Sequence, residues 1–97
     1  MLVTLREILQ IAENRKIAVG AFNAANLESL QANVAAAEEL KVPMILQFAQ
    51  CHEEWIPLKL IGPLMVDFAK KASVPICVHL DHGETLDYLQ QALEIGF

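Results

Sequence analysis

The sequence predicts an α/β fold built around a parallel sheet, and three observations support this prediction. Apolar runs that begin at Ile17, Val42 and Val74 have the length of strands, and a helical pattern follows each of them. Alternation of strand and helix is typical of parallel sheets, in which the helices form the crossover connections. Hydrophobic residues make up 55% of the chain, which suits strands that are buried on both faces.

The first half of the chain predicts a helix, a strand and a second helix. Thr4 and the acidic residue three positions later have the spacing of a capping box, so a short amphipathic helix is predicted over Leu5–Glu13. The apolar run Ile17–Phe22 predicts a buried strand. Asn26 is a favoured N-cap residue, and the apolar positions after it predict a helix over Leu27–Leu40.

The second half repeats this order of elements. A strand is predicted over Val42–Phe48, and a connecting loop is predicted over Ala49–Pro57. A helix with an apolar stripe is predicted over Leu58–Lys71. Pro63 lies inside that pattern, where it indicates either a late helix start or a kink.

The third strand leads into an unusual polar segment. The apolar run Val74–Val78 is followed directly by His-Leu-Asp-His-Gly, and the last helix is predicted from Glu84 or Thr85 to Glu94. Phe97 has the character of the first residue of a further strand.

Polar side chains stand where each of the three predicted strands ends. Asn23 follows the first strand, Gln47 lies near the end of the second, and His79, Asp81 and His82 follow the third. Functional groups in parallel α/β proteins gather at the carboxyl ends of the strands. We therefore expect these five residues to lie at one edge of the sheet and to form the functional site.

Charge and composition exclude several classes of protein. The net charge is −5 and no basic stripe is present, so we expect no nucleic-acid partner. No apolar run approaches the roughly 20 residues that span a bilayer, so we expect no membrane partner. Cys51 and Cys77 lie far apart in the sequence, which favours a reducing, cytoplasmic location.

Three segments carry a resemblance to a known family. Ala21-Phe22-Asn23, Val42-Pro43-Met44-Ile45-Leu46-Gln47 and His79-Leu80-Asp81-His82-Gly83 resemble the N-terminal part of the class II, metal-dependent ketose-bisphosphate aldolases. The resemblance covers essentially the whole chain. It implies a (β/α)₈ TIM barrel, of which residues 1–97 are the N-terminal part of a single domain. The chain would supply an N-terminal helix and the first three strand–helix units.

The resemblance also implies an activity and a set of site residues. Family members reversibly cleave a ketose bisphosphate, such as fructose 1,6-bisphosphate, to dihydroxyacetone phosphate and an aldehyde, using zinc (Zn2+). His82 matches a zinc ligand, and Asp81 matches the acid/base that moves the proton of the hydroxyl at the cleaved bond. Asn23 and Gln47 match positions close to the substrate, and His79 matches a histidine that supports the motif. The implied substrate is a small phosphorylated sugar.

Structural roles are the alternatives for several of these residues. His79 alone is more typical of a hydrogen-bonded core histidine. Asp81 has the residue type of a helix N-cap, and Asn23 that of a turn residue. The run Cys51-His52-Glu53-Glu54 has metal-ligand residue types, but its spacing matches no common site, so a solvated loop is predicted there.

The segment after the second strand departs from the family pattern. Ala49 stands where a hydroxyl residue usually helps to hold a phosphate, and Gln50–Glu54 replaces a small, often glycine-containing turn. Two carboxylates in this segment would repel a phosphate. We therefore expect a weaker phosphate contact at this strand end than the family pattern implies.

A second hypothesis concerns the chain as a whole. A complete barrel takes about 250 residues, and His82 alone is too few ligands for a catalytic zinc. The alternative is therefore a non-catalytic α/β fragment or module that lacks the remaining metal ligands. We expect an incomplete barrel with open sheet edges at the first and third strands, so the 97 residues taken alone should be aggregation-prone, oligomeric or poorly cooperative in unfolding. We expect the intact protein to be a homo-oligomer.

Overall fold

The computed structural model describes all 97 residues and contains one three-stranded parallel sheet, in the order β1-β2-β3. The elements in chain order are α1 (Leu5–Arg15), β1 (Ala21–Asn23), α2 (Leu27–Leu40), β2 (Met44–Ala49), a 3₁₀ turn (Gln50–Glu54), α3 (Leu58–Lys71), β3 (Ile76–Asp81) and α4 (Leu86–Ile95). The predicted α/β fold with alternating strands and helices is therefore confirmed. None of the helices has the length and hydropathy that a membrane crossing requires.

The first strand differs from its prediction in both position and burial. A buried strand was expected over Ile17–Phe22, whereas β1 begins at Ala21 and all three of its residues are exposed. The reason is its place at the edge of the sheet, where it pairs only with β2. Phe22 is 54% exposed because an apolar run sets the tendency to form a strand, while burial depends on which neighbours cover it.

The first two helices follow their predicted signals. Thr4 and Glu7 form the predicted capping box, in which each side chain bonds the backbone N–H of the other residue. α1 is two residues longer than predicted and ends at Arg15. Its C-cap residue, Lys16, has a left-handed backbone with φ 55°. Asn26 caps α2 as predicted, because its side chain accepts a hydrogen bond of 2.8 Å from the backbone N–H of Ser29.

The third helix has the predicted bounds, which exclude one of the two explanations of Pro63. α3 begins at Leu58, so a late start at the proline is wrong, and Pro63 lies inside the helix. Pro57 occupies the N-cap position and has no side-chain oxygen with which to cap the first turn. The start of α3 therefore depends on an acceptor from another part of the chain.

The two faces of the sheet have different roles. Met44, Leu46 and Phe48 point to the face that packs against the helices, within a cluster of 18 buried residues. Because side chains alternate along a strand, Gln47 and Ala49 point to the opposite face. That opposite face carries the polar residues at the strand ends.

The N-terminal residues pair with β3, which the sequence did not indicate. Leu2 forms a parallel bridge with Ile76, and the Met1 ammonium donates hydrogen bonds to the carbonyl oxygens of Ala72 and Val74. The expectation of an open edge along the third strand is therefore wrong at its amino end. Beside this edge lies a mainly apolar groove of about 450 Å³, bounded by residues of α1, β3 and α4.

Candidate active site at the carboxyl end of the sheet

The strand register places three polar residues in one row. Asn23 pairs with Gln47, and Gln47 pairs with His79, so one residue from each strand stands side by side across the sheet. Ala49 pairs with Asp81 two positions further along. Paired residues of parallel strands point to the same face, so this row brings together Asn23, Gln47 and His79, three of the five residues that were expected at this edge.

His79 presents an unpaired polar atom within this row. Its Nδ1 is enclosed and has no hydrogen-bond partner. The alternative role of His79, a core histidine held by hydrogen bonds, is therefore not supported by the surroundings of Nδ1. A buried polar atom without a partner costs about 1–3 kcal/mol. Nδ1 is thus available to a polar group that enters the row beside Gln47.

Asp81 and His82 follow at the end of β3. Asp81 is the last residue of the strand, and its Oδ2 lies 3.8 Å from Nε2 of His82. Their side chains are 32% and 74% exposed. The N-cap of α4 is Thr85, whose hydroxyl accepts from the backbone N–H of Tyr88, so the alternative of Asp81 as that cap is wrong.

The backbone makes an unusual turn at the same place. His82 has φ 70° and Gly83 has φ 67°, so two consecutive residues adopt the left-handed conformation. Glycine adopts it freely, whereas for an L-residue with a side chain it is unfavourable. The turn ends β3 and leaves the imidazole of His82 largely exposed to solvent.

The residues at this edge fit part of a zinc site. A neutral imidazole is a good zinc ligand, and the exposed ring of His82 is free of packing that would block a metal. Catalytic zinc sites have three protein ligands, and no group of three or more histidine, cysteine, aspartate or glutamate side chains in these 97 residues could hold a metal ion. His82 fits as one ligand of a set that other residues must complete.

The segment after β2 was predicted to be a solvated loop, and it is a 3₁₀ turn that contains no buried residue. Its exposure agrees with the prediction, but its hydrogen bonds to neighbouring elements were not expected. The Gln50 Oε1 accepts a hydrogen bond of 2.6 Å from the backbone N–H of Glu84. The Glu53 Oε2 accepts bonds from the backbone N–H of Leu58 at 2.8 Å and from the hydroxyl of Tyr88 at 2.5 Å. The bonds from Glu84 and Tyr88 were not predicted because these residues lie 34 and 35 positions further along the chain. Pro57, which cannot cap α3 itself, was the one signal that an outside acceptor was needed.

Burial and the adjacent carboxylate both affect Tyr88. Burial of the ring, followed by its hydrogen bond to Glu53 and the negative charge of that residue, raises the pKa of Tyr88 above its ordinary value. The phenol therefore remains protonated at neutral pH and donates to Glu53.

His52 completes the packing of the 3₁₀ turn. Its ring stacks on Trp55 at a centroid distance of 5.5 Å and meets Phe48 edge-on at 5.7 Å. Cys51 is exposed and unpaired. The residues of this turn belong to no group of three or more metal-binding side chains.

Comparisons with known proteins agree on one family. The family model described as "Fructose-bisphosphate aldolase class-II" matches residues 3–97. A fructose-bisphosphate aldolase from Giardia intestinalis is 39% identical, over 99% of this chain and 30% of that enzyme. A fructose-bisphosphate aldolase from Thermus caldophilus is 41% identical, over 100% of this chain and 32% of that enzyme.

A solved structure agrees with these matches. The crystal structure of the YdjI aldolase from Escherichia coli K12 superimposes with a TM-score of 0.94 at 33% sequence identity. The superposition covers 100% of this chain and 38% of that protein. The chain has the fold of the N-terminal part of a (β/α)₈ barrel, and it spans about a third of the length of the relatives it matches.

Proposed function

Because the chain belongs to the class II fructose-bisphosphate aldolase family, we propose that the protein containing it is a zinc-dependent ketose-bisphosphate aldolase. It would reversibly cleave a substrate such as fructose 1,6-bisphosphate to dihydroxyacetone phosphate and an aldehyde. The observation that carries this proposal is the position of Asp81 and His82 at the end of β3, next to the row that contains Asn23 and Gln47.

Each of these residues has a role that suits its chemistry. His82 would bind zinc, which when bound acts as a Lewis acid on the ketone of the substrate. Asp81 is adjacent and partly exposed, so its carboxylate can take the proton from the hydroxyl at the bond that breaks and return it in the reverse direction. Asn23 and Gln47 would donate hydrogen bonds to substrate oxygens and fix its orientation.

We propose that residues 1–97 are the N-terminal part of a single barrel domain, and that the remaining zinc ligands lie outside this chain. Further strand–helix units would pair with the free edge of β1 and with β3 beyond its bridge to Leu2. These units would also cover the mainly apolar groove beside β3, which would then become part of the core. Covering an exposed apolar surface of this kind stabilises the folded protein. The intact protein is proposed to be a cytoplasmic homo-oligomer that binds neither nucleic acid nor membrane.

Aldol cleavage by the full-length protein tests the proposed function. We expect release of dihydroxyacetone phosphate from fructose 1,6-bisphosphate, together with a stoichiometric content of zinc. Loss of cleavage on chelation and its return on addition of zinc would support the metal requirement. A full-length protein that contains zinc but cleaves no phosphorylated ketose would contradict the proposal.

A non-catalytic module is the second candidate function. It is favoured by one observation, which is that no complete group of metal-binding side chains is present in these 97 residues. The two candidates differ in the full-length protein, because a module would bind no zinc at His82 even when the whole chain is present. Metal content therefore separates the candidates before any substrate is known.

Adding a hydroxyl at position 49 is expected to improve phosphate binding. Ala49 is 4% exposed and pairs with Asp81, so a serine there would place its oxygen beside the site. A hydrogen bond to a charged group contributes about 1.5–3 kcal/mol. We expect Ala49→Ser to lower KM for a phosphorylated ketose, as measured by steady-state kinetics.

A matched control separates this effect from a change in packing. Ala37 on α2 is also 4% exposed and belongs to the main hydrophobic cluster, away from the strand ends. Ala37→Ser introduces the same buried hydroxyl and is expected to leave KM unchanged. If Ala49→Ser leaves the affinity for every phosphorylated ketose unchanged, the phosphate is held elsewhere.

A further inference from the structure

We infer that Gln50 and Glu53 are positioning residues, and that the 3₁₀ turn holds the Asp81–His82 segment in its working geometry. The inference concerns how the segment is held. Its consequence for catalysis rests on the proposed function. It arises from the segment in which the sequence departs from the pattern of the family it resembles.

The register of the sheet places the 3₁₀ turn beside the site. Ala49 and Asp81 are paired residues at the ends of β2 and β3, so the segments that leave these two strands run next to each other. Gln50 follows Ala49 and reaches across to the backbone N–H of Glu84 at 2.6 Å. This bond joins the end of β2 to the turn that carries His82.

The bonded amide occupies a sensitive position in that turn. Glu84 lies between the left-handed pair His82-Gly83 and Thr85, the N-cap of α4. Residues in sparsely populated backbone regions persist when the surrounding structure holds them. The bond from Gln50 provides such a restraint on the side of the turn that faces β2.

Glu53 restrains the other side of the same turn. Its carboxylate accepts from the Tyr88 hydroxyl on the first turn of α4 and from the backbone N–H of Leu58 at the start of α3. One side chain thus connects the two helices that follow β2 and β3. Because the Tyr88 ring is buried, this bond connects a fixed part of the first turn of α4 to the 3₁₀ turn.

These restraints matter because packing does not orient His82. Its side chain is 74% exposed, so the backbone at this residue sets the position of Cβ and the direction in which the side chain leaves the strand end. A ligand or a proton-transfer group that is displaced by about 1 Å loses a large part of its effect. Residues that hold this backbone therefore act on the chemistry through Asp81 and His82 without touching the substrate.

Two substitutions at Gln50 test the inference in the full-length protein. Gln50→Leu keeps the size and removes the acceptor, whereas Gln50→Glu keeps an acceptor oxygen at the same reach. Gln90→Leu is the matched control, because Gln90 lies on the exposed face of α4 and bonds only the Glu94 side chain at 2.9 Å. The readouts are amide hydrogen exchange in the metal-free protein, zinc affinity, and kcat and KM measured separately.

We expect Gln50→Leu to accelerate exchange of the Gly83, Glu84 and Thr85 amides by up to about tenfold, the usual worth of one hydrogen bond. We expect a similar fall in kcat with a smaller change in KM, and weaker zinc binding. Gln50→Glu should restore the exchange rates of these amides, and Gln90→Leu should alter neither exchange, zinc binding nor kcat. Tyr88→Phe, which keeps the buried ring, should accelerate exchange in the first turn of α4.

Several outcomes would overturn the inference. Exchange in Gln50→Leu that equals exchange in the unmodified protein would show that the bond does not restrain the turn. Exchange in Gln50→Glu that remains as fast as in Gln50→Leu would also overturn it. If Gln50→Leu does not fold, unchanged exchange in Tyr88→Phe overturns the inference instead. If the unmodified protein does not cleave its substrate, the proposed function fails, whereas the exchange rates still decide whether the turn is held.

Discussion

Replacing His82 by alanine is expected to remove zinc from the full-length protein and to abolish aldol cleavage. His82 is the exposed imidazole at the end of β3, and it would be one of three protein ligands. Losing one ligand weakens the site, and without the metal the ketone is no longer polarised. Metal content by elemental analysis and cleavage rate, measured on the same preparation, check the prediction.

The fold itself should survive this substitution. Because the imidazole is 74% exposed, its removal leaves no cavity in the core, and the thermal unfolding transition should remain cooperative. Zinc at its normal stoichiometry in His82→Ala would show that the metal is bound by other residues. A variant that is unfolded would show that His82 has a structural role that its exposure does not indicate.

Replacing Asp81 by alanine is expected to have a different effect, namely to keep the zinc and lose the proton transfer. A positioned acid or base contributes roughly 10²–10⁴-fold to a rate, so kcat should fall by that factor. Asp81→Asn should give a similar fall because it keeps the shape of the side chain without its basicity. Zinc content and steady-state kinetics of both variants test this assignment.

Asp67 offers a control for the loss of a partly exposed aspartate. It lies on α3, where its carboxylate pairs with Lys71 at 2.8 Å, and it is remote from the strand ends in the sheet. Asp67→Ala should change neither zinc content nor kcat. An equal loss of zinc in Asp81→Ala and His82→Ala would mean that the carboxylate holds the metal.

The elements that the sequence predicted well are those whose signals are local. α2 and α3 have the predicted bounds, and the Thr4 and Asn26 caps lie where their residue types indicated. A capping residue and the amide it bonds lie within one helical turn, so neighbouring residues suffice to place the end of a helix. The same holds for the alternation of strands and helices.

Features that depend on distant residues were missed. The burial of β1 depends on its place at the edge of the sheet, and the bridge between Leu2 and Ile76 joins residues from opposite ends of the chain. The 3₁₀ turn also bonds Glu84 and Tyr88, which lie 34 and 35 positions further along the chain. No periodicity within Gln50–Glu54 indicates these partners, so only the three-dimensional arrangement reveals them.

The candidate site shows the same division. The convergence of Asn23, Gln47 and His79 was predictable, because parallel strands end at one edge whatever their exact register. The register that places the three in one row, and the unpaired Nδ1 of His79, were not. The chemical roles of Asp81 and His82 remain predictions that the two substitutions above test.

The left-handed backbone at His82 also implies a trade-off between stability and activity. With φ 70°, any side chain at this position costs about 1–2 kcal/mol relative to glycine, yet glycine cannot bind a metal. His82→Gly is therefore expected to be more stable than His82→Ala by about 1 kcal/mol, after allowing for the greater freedom of glycine in the unfolded chain. Chemical denaturation of the two inactive variants measures the difference. Equal free energies of unfolding would mean that the turn bears no strain. A higher free energy of unfolding for His82→Gly would measure the stability that the protein loses by keeping a side chain at the end of β3.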